Sequence, residues 1–311
     1  MRIAKWISVI IAAIVVTLIG FIYLAPEAAL NSLLSMDRQR SGLVKKELKL
    51  NNGLDFVYLE GGKGEDLILL HGFGADKDNF TRVALFLTPH YHVIIPDLIG
   101  FGESSRSPSG DYKPEAQARN LKSLIAALQI HKFHMGGSSM GGHIAMTYAN
   151  FFPADVLSLW LLDTGGIWSA PQSELSKVIS ETGENPLMAK NEKEFRRLYQ
   201  FVMSDPPFVP GPILDVLARR RISNFDLETK IFLQLTFSSA EKLAPGLDMP
   251  TLIVWGDEDR AIHVGTAEVL HKLIPQSVVV IMKGVGHLPM LERPRQTAED
   301  YLKFQKKMAV N

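Results

Sequence analysis

Residues 134–143 read HMGGSSMGGH and stand between two different sequence patterns. The residues before them have the apolar character of a strand end, and those after them, up to Ala149, carry the apolar stripe of a helix. Within the stretch, GSSMG fits the G-x-S-x-G pattern, in which one serine occupies a sharp turn and the flanking glycines let neighbouring elements pack closely. Ser139 has a glycine two positions away on both sides, whereas Ser138 has Met140 two positions later. The pattern therefore makes Ser139 the candidate nucleophile if the rest of the chain supplies its partners.

Composition and charge limit the class of protein. The chain has 311 residues, 46% of them hydrophobic, which is ample for a large folded core. Its 33 lysines and arginines balance 33 aspartates and glutamates, and no long basic run suggests a nucleic-acid surface. The absence of cysteine excludes disulfides, a thiol nucleophile and thiolate metal sites.

An apolar segment near the N-terminus predicts a membrane anchor. Residues 7–25 are 19 residues without a charge, and a helix of that length spans about 28 Å, close to the hydrocarbon thickness of a bilayer. The basic flank at residues 1–6 favours a cytoplasmic N-terminus and an exported catalytic domain, periplasmic or extracytoplasmic, although basic residues between positions 38 and 46 weaken that inference. The main alternative is a cleaved signal peptide and a secreted protein, but the run is long for one and Pro26 makes a poor cleavage junction. A buried core helix is the third interpretation.

Strands and helices alternate through most of the remaining chain, which predicts an α/β fold with a mostly parallel sheet and helices on both faces. The first two strands are expected to pair antiparallel, because the Asn51-Asn52-Gly53 turn between them favours a hairpin. Between Ile167 and Leu247 no strand pattern occurs, and proline-broken helical stretches predict a helical cap inserted after the sixth strand.

The predicted elements and boundaries follow from these patterns. The strands cover residues 43–50, 54–60, 66–70, 91–95, a run ending at 135, 156–162, 251–255 and 277–282; the helices cover residues 79–87, 114–129, 142–149, 173–179, 191–203, 212–221, 265–273 and 295–308. The chain is thereby divided into the flank at 1–6, the anchor at 7–25, a juxtamembrane connector at 26–42, a core in two parts at 43–166 and 248–311, and the cap at 167–247.

Residues with reactive or ionisable side chains follow several predicted strands. Open parallel sheets bind their ligands at these carboxyl ends of the strands. A serine hydroxyl needs a base to take its proton, and a histidine base needs an acid that fixes its tautomer. Ser139, Asp259 and His287 each come just after a predicted strand, and they occur in the order serine, acid, histidine. For the acid, Asp163 at the end of the sixth strand and Asp257 stay open as alternatives.

Five segments together resemble the α/β-hydrolase family, and the resemblance extends over residues 43–308. They are HGFG at 71–74, PDLIGFGESS at 96–105, GGSSMGG at 136–142, WGDEDR at 255–260 and GVGHLPMLERP at 284–294. Within the family the chain looks most like bacterial membrane-associated or exported lipases and the related monoacylglycerol lipases with an N-terminal anchor. This narrower resemblance is carried by DKDNFTR at 76–82 and SLWLLDTGGIWSA at 158–170.

The resemblance implies a role for each site residue. Ser139 is the nucleophile, His287 the general base and then acid, and Asp259 its orienting carboxylate. The backbone N–H groups of Phe73 and Met140 would form the oxyanion hole, so their side chains are expected to be free to vary. Candidates for an acyl pocket in the cap, which are equally well explained as helix core, are Trp168, Phe195, Tyr199, Phe201, Met203 and Phe208.

No cofactor or metal is expected, because no His/Asp/Glu cluster has metal-ligand spacing and the glycine-rich segments lack the features of phosphate or dinucleotide loops. The run Arg219-Arg220-Arg221 is either a solvated helix end or a surface for anionic lipid headgroups. The expected partners are a lipid or ester substrate and, through the anchor, a membrane.

The chain is therefore expected to be a serine lipase or esterase that hydrolyses carboxylic esters of fatty acids, such as monoacylglycerols or short to medium acyl esters, through an acyl-enzyme. Alternatives on the same fold are a carbon–carbon bond hydrolase, an aminopeptidase or a cofactor-free perhydrolase. A non-catalytic binding protein on a hydrolase scaffold is a further alternative, although such a protein has no need of a triad together with two oxyanion loops.

Overall fold

The computed structural model describes residues 2–308, so Met1 in the predicted flank and residues 309–311 at the end of the predicted core lie outside the described residues. The described chain has eight strands: β1 (Leu43–Lys49), β2 (Asp55–Gly62), β3 (Glu65–Leu70), β4 (Tyr91–Pro96), β5 (Phe133–Ser138), β6 (Val156–Leu162), β7 (Thr251–Gly256) and β8 (Val278–Met282). Its helices are α1 (Arg2–Leu24), α2 (Pro26–Arg40), α3 (Thr81–Leu87), α4 (Pro114–Ala127), α5 (Met140–Phe151), α6 (Glu174–Thr182), α7 (Glu192–Phe201), α8 (Gly211–Ile222), α9 (Phe225–Thr236), α10 (Thr266–Leu273), α11 (Pro289–Glu292) and α12 (Pro294–Met308).

The strands form one sheet in the order β1-β2-β4-β3-β5-β6-β7-β8. β1 pairs antiparallel with β2 across the predicted hairpin, and β2 pairs antiparallel with β4. From β4 to β8 every neighbouring pair is parallel. The predicted α/β fold, with a mostly parallel sheet and antiparallel first strands, is confirmed.

The core lies on both faces of this sheet. Leu67 and Leu69 of β3 belong to a buried cluster that includes α3 and α12, whereas Ile68 and Leu70 belong to one that includes α4, α5 and α10. Successive side chains of a strand point to opposite faces, so a continuous apolar run serves two cores at once. This burial on both faces explains why β3 has no polar alternation in its sequence.

The helical segment between β6 and β7 consists of α6 to α9, where a helical cap is expected. The sequence patterns predict α6, α7 and α8 with shifted ends, but they do not predict α9. Asn224 at the start of α9 makes no side-chain capping bond, so the helix lacks the usual start signal. The cap thus contains one more helix than its sequence indicates.

Residues 26–42, predicted as a connector without assigned structure, are mostly helix. α2 begins with Pro26 in its first turn, where proline is well tolerated. One buried cluster joins α2 to the cap helix α8 and to the end of α1, through Ile22, Ala29, Leu30, Ile213 and Val216. The segment is therefore packed against the cap and does not act as a loose linker.

Among the described helices, α1 is the one that is long and apolar enough to cross a membrane. Its stretch Lys5–Leu24 has a mean hydropathy of 2.8, and none of it is buried. The interpretation as a buried core helix is therefore wrong, because the fold buries none of this stretch. A membrane anchor and a signal sequence both fit the observation.

Candidate active site

Ser139 lies at the junction of β5 and α5 in a backbone conformation that side chains rarely adopt. Its φ is 55° and its ψ −117°, a strained combination typical of a serine held on a sharp strand-to-helix turn. A Cβ on Gly137 would come within 2.2 Å of the carbonyl oxygen of Gly141, so the turn has no room for a side chain there. The neighbouring Ser138 is fully buried, whereas Ser139 is partly exposed, so the two serines differ in their access to a substrate.

His287 and Asp259 lie together at the ends of β8 and β7. Nδ1 of His287 is 2.7 Å from Oδ2 of Asp259, and both side chains are almost completely buried. The N–H groups of Ala261 and Ile262 donate to the other oxygen, Oδ1, at 2.8 and 3.0 Å. With its carboxylate fixed on both oxygens, Asp259 can hold the imidazole in one tautomer and orientation.

The two alternative acids occupy different positions. Oδ1 of Asp257, which is exposed, accepts a hydrogen bond from the Gly284 N–H at 2.7 Å and so braces the turn after β8. Asp163 is completely buried, and its Oδ1 accepts a hydrogen bond from the Gly256 N–H at 2.9 Å. Burial, and next the negative charge of Asp259, raise the pKa of Asp163 well above its ordinary value. Of the three acids, Asp259 is the one whose carboxylate accepts the hydrogen bond from the His287 ring.

The loop after β3 approaches Ser139 from the other side. A Cβ on Gly72 would lie 3.3 Å from the Cβ of Ser139, which shows how closely the loop passes. His71 is buried; its Nδ1 lies 2.8 Å from the Gly72 carbonyl oxygen, and its Nε2 accepts from the Leu98 N–H at 3.0 Å. Burial lowers the pKa of His71 to about 4. Both ring nitrogens of His71 are thus engaged with the backbone, so the histidine braces the loop.

The two oxyanion candidates are placed differently. Met140 is the first residue of α5, where helix N–H groups have no acceptor within the helix and the dipole favours negative charge. The Phe73 side chain packs edge-on against Phe232 of α9, with ring centres 5.4 Å apart, and against Phe101 at 6.0 Å. The expectation that this side chain is free to vary is therefore wrong, because it packs against the cap.

A buried arginine of the cap also rests on this loop. The Arg221 guanidinium carbon lies 5.1 Å from the centre of the Phe73 ring, and its Nε is 2.7 Å from Oε2 of Glu228. Burial lowers the pKa of Arg221, and burial raises the pKa of Glu228 to about 7 although Arg221 opposes this. Arg220 instead pairs with Glu27 of α2 at 2.8 Å. Arg221 is thus taken up by contacts within the protein, whereas Arg219 and Arg220 are exposed, and whether those two only border solvent or face lipid headgroups stays a prediction.

Glu292 is a residue of the site that the sequence analysis missed. It is buried, and its carboxylate accepts N–H groups from Gly286 at 3.1 Å and from Ser204 and Asp205, both at 2.9 Å. It thus joins the loop that carries His287 to the part of the cap that directly follows α7. The only signal was its place in the segment LPMLERP at 288–294, since its partners in the cap are remote in sequence.

The proposed pocket residues do not share one surface. Phe195 is buried among cap residues such as Leu214, and Tyr199 donates its hydroxyl to the Pro207 carbonyl at 2.9 Å. Trp168 is 58% exposed and Phe208 is 90% exposed. Phe201 and Met203, by contrast, pack in a cluster with Ala261, next to the loop that carries Asp259. Their role in binding an acyl chain stays a prediction.

One group of the described side chains has the donor types and spacing of a metal site. A carboxylate oxygen of Asp163, one of Asp259 and a ring nitrogen of His287 lie within 4.8 Å of one another. The imidazole nitrogen and the Asp259 oxygen are joined by their own hydrogen bond, which is the geometry of a proton-transfer pair.

Comparison with known proteins connects this geometry to a family. A family model described as the alpha/beta hydrolase fold matches residues 67–294. "Lipase 1" of Psychrobacter immobilis is 43% identical over 281 residues, which cover 88% of this chain and 87% of that protein. "Monoacylglycerol lipase ABHD6" of Mus musculus is 31% identical over 255 residues, covering 78% of this chain and 76% of its own.

Among solved structures, the chain is similar to a membrane phospholipase A described as a bacterial virulence factor. The two share 38% sequence identity and superpose with a TM-score of 0.88, covering 99% of each chain. These matches confirm the family resemblance that the sequence motifs indicate.

Proposed function

This chain belongs to the α/β hydrolase fold family, and from that premise we propose that Ser139, His287 and Asp259 are its catalytic triad. The activity itself is that of a serine hydrolase of the lipase or esterase class, acting on carboxylic esters. The observation that carries the triad assignment is the 2.7 Å hydrogen bond between His287 and Asp259. This bond supports Asp259 over Asp163 and Asp257 as the acid.

The reaction proceeds in two halves. Ser139 Oγ attacks the acyl carbon of the ester while His287 accepts the hydroxyl proton, and the carbonyl oxygen becomes an oxyanion held by the N–H groups of Phe73 and Met140. When the tetrahedral intermediate collapses, His287 gives its proton to the departing alcohol and the acyl group stays on Ser139. Water, deprotonated by His287, then attacks the acyl-enzyme; the fatty acid leaves and Ser139 recovers its proton.

The substrate class we infer is a fatty-acyl ester with a single long chain, such as a monoacylglycerol. The relative from mouse acts on monoacylglycerols by name. A cap whose exposed residues include Trp168 and Phe208 also offers apolar surface to a lipid substrate. A panel of p-nitrophenyl esters and monoacylglycerols of increasing chain length, with and without detergent, tests this inference, and a rate that does not rise beyond short chains would count against it.

For localisation we propose that α1 stays attached as an anchor and that the catalytic domain is exported. Ile22 of α1 packs in the cluster formed by α2 and α8, so cleavage near residue 25 would remove one of its members. The test is mass spectrometry of the mature protein from membranes. A chain that begins near residues 26–30 would replace the anchor with a cleaved signal.

The triad is tested with Ser139→Ala and the matched control Ser138→Ala. Ser139→Ala should lower kcat about 10³-fold or more and abolish labelling by a fluorophosphonate, because the nucleophile is lost. Ser138→Ala should leave both nearly unchanged, because its hydroxyl is buried and has no partner among the described residues. Full turnover by a folded Ser139→Ala variant would disprove the proposal.

A further inference from the structure

Asp163 is a buried carboxyl group that the triad does not use. It follows the last residue of β6, and its φ of 45° lies in the region that few side chains adopt. Its side chain is completely buried beside Asp259, which is itself buried. One oxygen of each carboxyl group and a ring nitrogen of His287 fall within 4.8 Å of one another.

The hydrogen bonds of the two carboxyl groups are unequal. Asp259 accepts three: two backbone N–H groups on Oδ1 and His287 on Oδ2. Asp163 accepts one, from the Gly256 N–H on Oδ1, and its Oδ2 has no donor among the residues that the structure describes. Burying an ionised carboxylate is costly when one oxygen has no hydrogen-bond donor, as for Asp163. Asp259, by contrast, has donors on both of its oxygens.

Both groups cannot be ionised at this separation in a buried site, because like charges disfavour one another there. The acidic groups that face Asp163 are Asp259 and Glu292, and both raise its pKa in addition to burial. His287 is the remaining titratable neighbour. The proton therefore belongs on Asp163, which has the fewest donors and the most negative surroundings.

We propose that Asp163 is a positioning residue that remains a neutral carboxylic acid and donates a hydrogen bond from Oδ2 to the Asp259 carboxylate. The proposal rests on the assignment of Asp259 as the triad acid. A carboxylate can accept about four hydrogen bonds, so Asp259 has capacity for this donor besides its other three. The added bond helps to fix the carboxylate that holds His287 in place.

The experiment compares Asp163→Asn with Asp163→Gly. Asparagine keeps both an acceptor for Gly256 and a donor for Asp259, and it tolerates a positive φ; glycine tolerates the same φ but has no donor. Asp163→Asn should keep kcat within about threefold of the wild type. Asp163→Gly should lower kcat about tenfold with little change in KM, because one hydrogen bond that orients the triad is lost.

A second measurement reports the proton directly. Infrared difference spectra between the wild type and Asp163→Asn at pH 8 should contain the C=O band of a protonated carboxylic acid. If that band is missing, Asp163 is ionised and the proposal is wrong. Equal loss of kcat in both variants, with melting temperatures like the wild type, would also overturn it, since a donor would then not suffice.

The triad assignment can fail separately from this proposal. If Asp163→Asn abolishes activity and Asp259→Asn does not, Asp163 is itself the triad acid, and both the assignment and the positioning role are wrong. If Ser139→Ala keeps its activity, the proposed reaction is wrong whatever the infrared spectra contain.

Discussion

The Arg221 guanidinium lies over the Phe73 ring, so a buried cation of the cap rests directly on the loop assigned to the oxyanion hole. Its Nη2 donates to the Leu187 carbonyl at 2.9 Å, and its Nε pairs with Glu228 at 2.7 Å. The cap thereby contacts the side chain of Phe73, whose N–H group we propose as an oxyanion donor. Loss of this contact is therefore expected to change both the stability of the cap and the position of the loop that contains Phe73.

We expect Arg221→Met to lower both stability and kcat. Glu228 then loses its ion partner while it stays buried. Because its pKa is raised to about 7, it can take up a proton and become neutral. The loss in unfolding free energy should therefore be about 1–3 kcal/mol, less than for a buried charge without a partner. Urea unfolding and ester turnover measure the two effects. Arg219→Met is the control: Arg219 is exposed and lies 3.8 Å from Glu192, so its loss should cost less than about 0.5 kcal/mol. Equal effects of the two substitutions would show that the contact with Phe73 has no special role.

Gly74→Ala should be destabilising beyond backbone strain alone, because the Arg221 guanidinium, held by Leu187 and Glu228, would have to move. Its Cβ would fall 1.2 Å from Nη1 of Arg221, in addition to the cost of a φ of 67°. Gly284→Ala is the matched control, because Gly284 has a φ of 65° but nothing within 4 Å of its Cβ. We expect the free energy of unfolding to fall by about 1 kcal/mol for the control and by clearly more for Gly74→Ala.

A double-mutant cycle separates the two contributions at Gly74. Combining Gly74→Ala with Arg221→Ala should recover the steric part of the loss, leaving a cost close to that of the control on top of the arginine substitution. Strict additivity in denaturant unfolding would mean that the clash with Arg221 is not the cause.

The central strands of the sheet could be predicted from sequence because they are short apolar runs that can be recognised without knowing their distant partners. β3 and β7 are examples: each is buried along most of its length and ends at a turn. Ser139 could be proposed as the nucleophile for a similar reason, since its turn needs glycines at fixed local spacing. The order of serine, acid and histidine then restricted the other two roles.

What could not be predicted depends on contacts between remote parts of the chain. Nothing local to Arg221 indicates that it is buried over Phe73, and nothing local to Glu292 indicates the N–H groups of Ser204 and Asp205. The helix α2 was missed because its stability comes from packing on α8. Asp163 and Asp259 both follow a strand between Ser139 and His287, so chain order does not separate them; the family resemblance favours Asp259, and the hydrogen bond to His287 supports that choice.

Stability should fall in acid partly because of His143. It is buried with its Nε2 3.3 Å from the Ser238 hydroxyl, and burial lowers its pKa from 6.5 to about 4. A histidine with a lowered pKa in the folded state contributes stability that is complete above pH 6.5 and is lost as the pH falls toward 4; the amount is on the order of 3 kcal/mol. Glu228, whose folded pKa is raised, acts with the opposite sign between pH 4.5 and 7.

The contribution of His143 is isolated by comparing the wild type with His143→Gln. The difference in unfolding free energy between the two proteins should shrink as the pH is lowered from 7 to 4.5, because only the wild type gains a proton at this position on unfolding. Urea titrations at several pH values measure it. A difference that is constant with pH would mean that His143 does not titrate as its burial implies.

Glu292→Gln should weaken the site through the loop that carries His287. The carboxylate holds the Gly286 N–H on one side and the Ser204 and Asp205 N–H groups on the other, and an amide replaces one of its acceptor oxygens with a donor that faces these same groups. We expect a loss of about 1–3 kcal/mol in unfolding free energy and about tenfold in kcat, with KM less affected, because the imidazole is no longer held against Asp259. Glu258→Gln is the control. The Glu258 carboxylate accepts a hydrogen bond from the exposed Ser204 hydroxyl, but it does not bind the N–H groups of Ser204 and Gly286 that Glu292 holds. If the control and Glu292→Gln lower kcat alike, the loop does not depend on this carboxylate and His287 is positioned by Asp259 and the backbone alone.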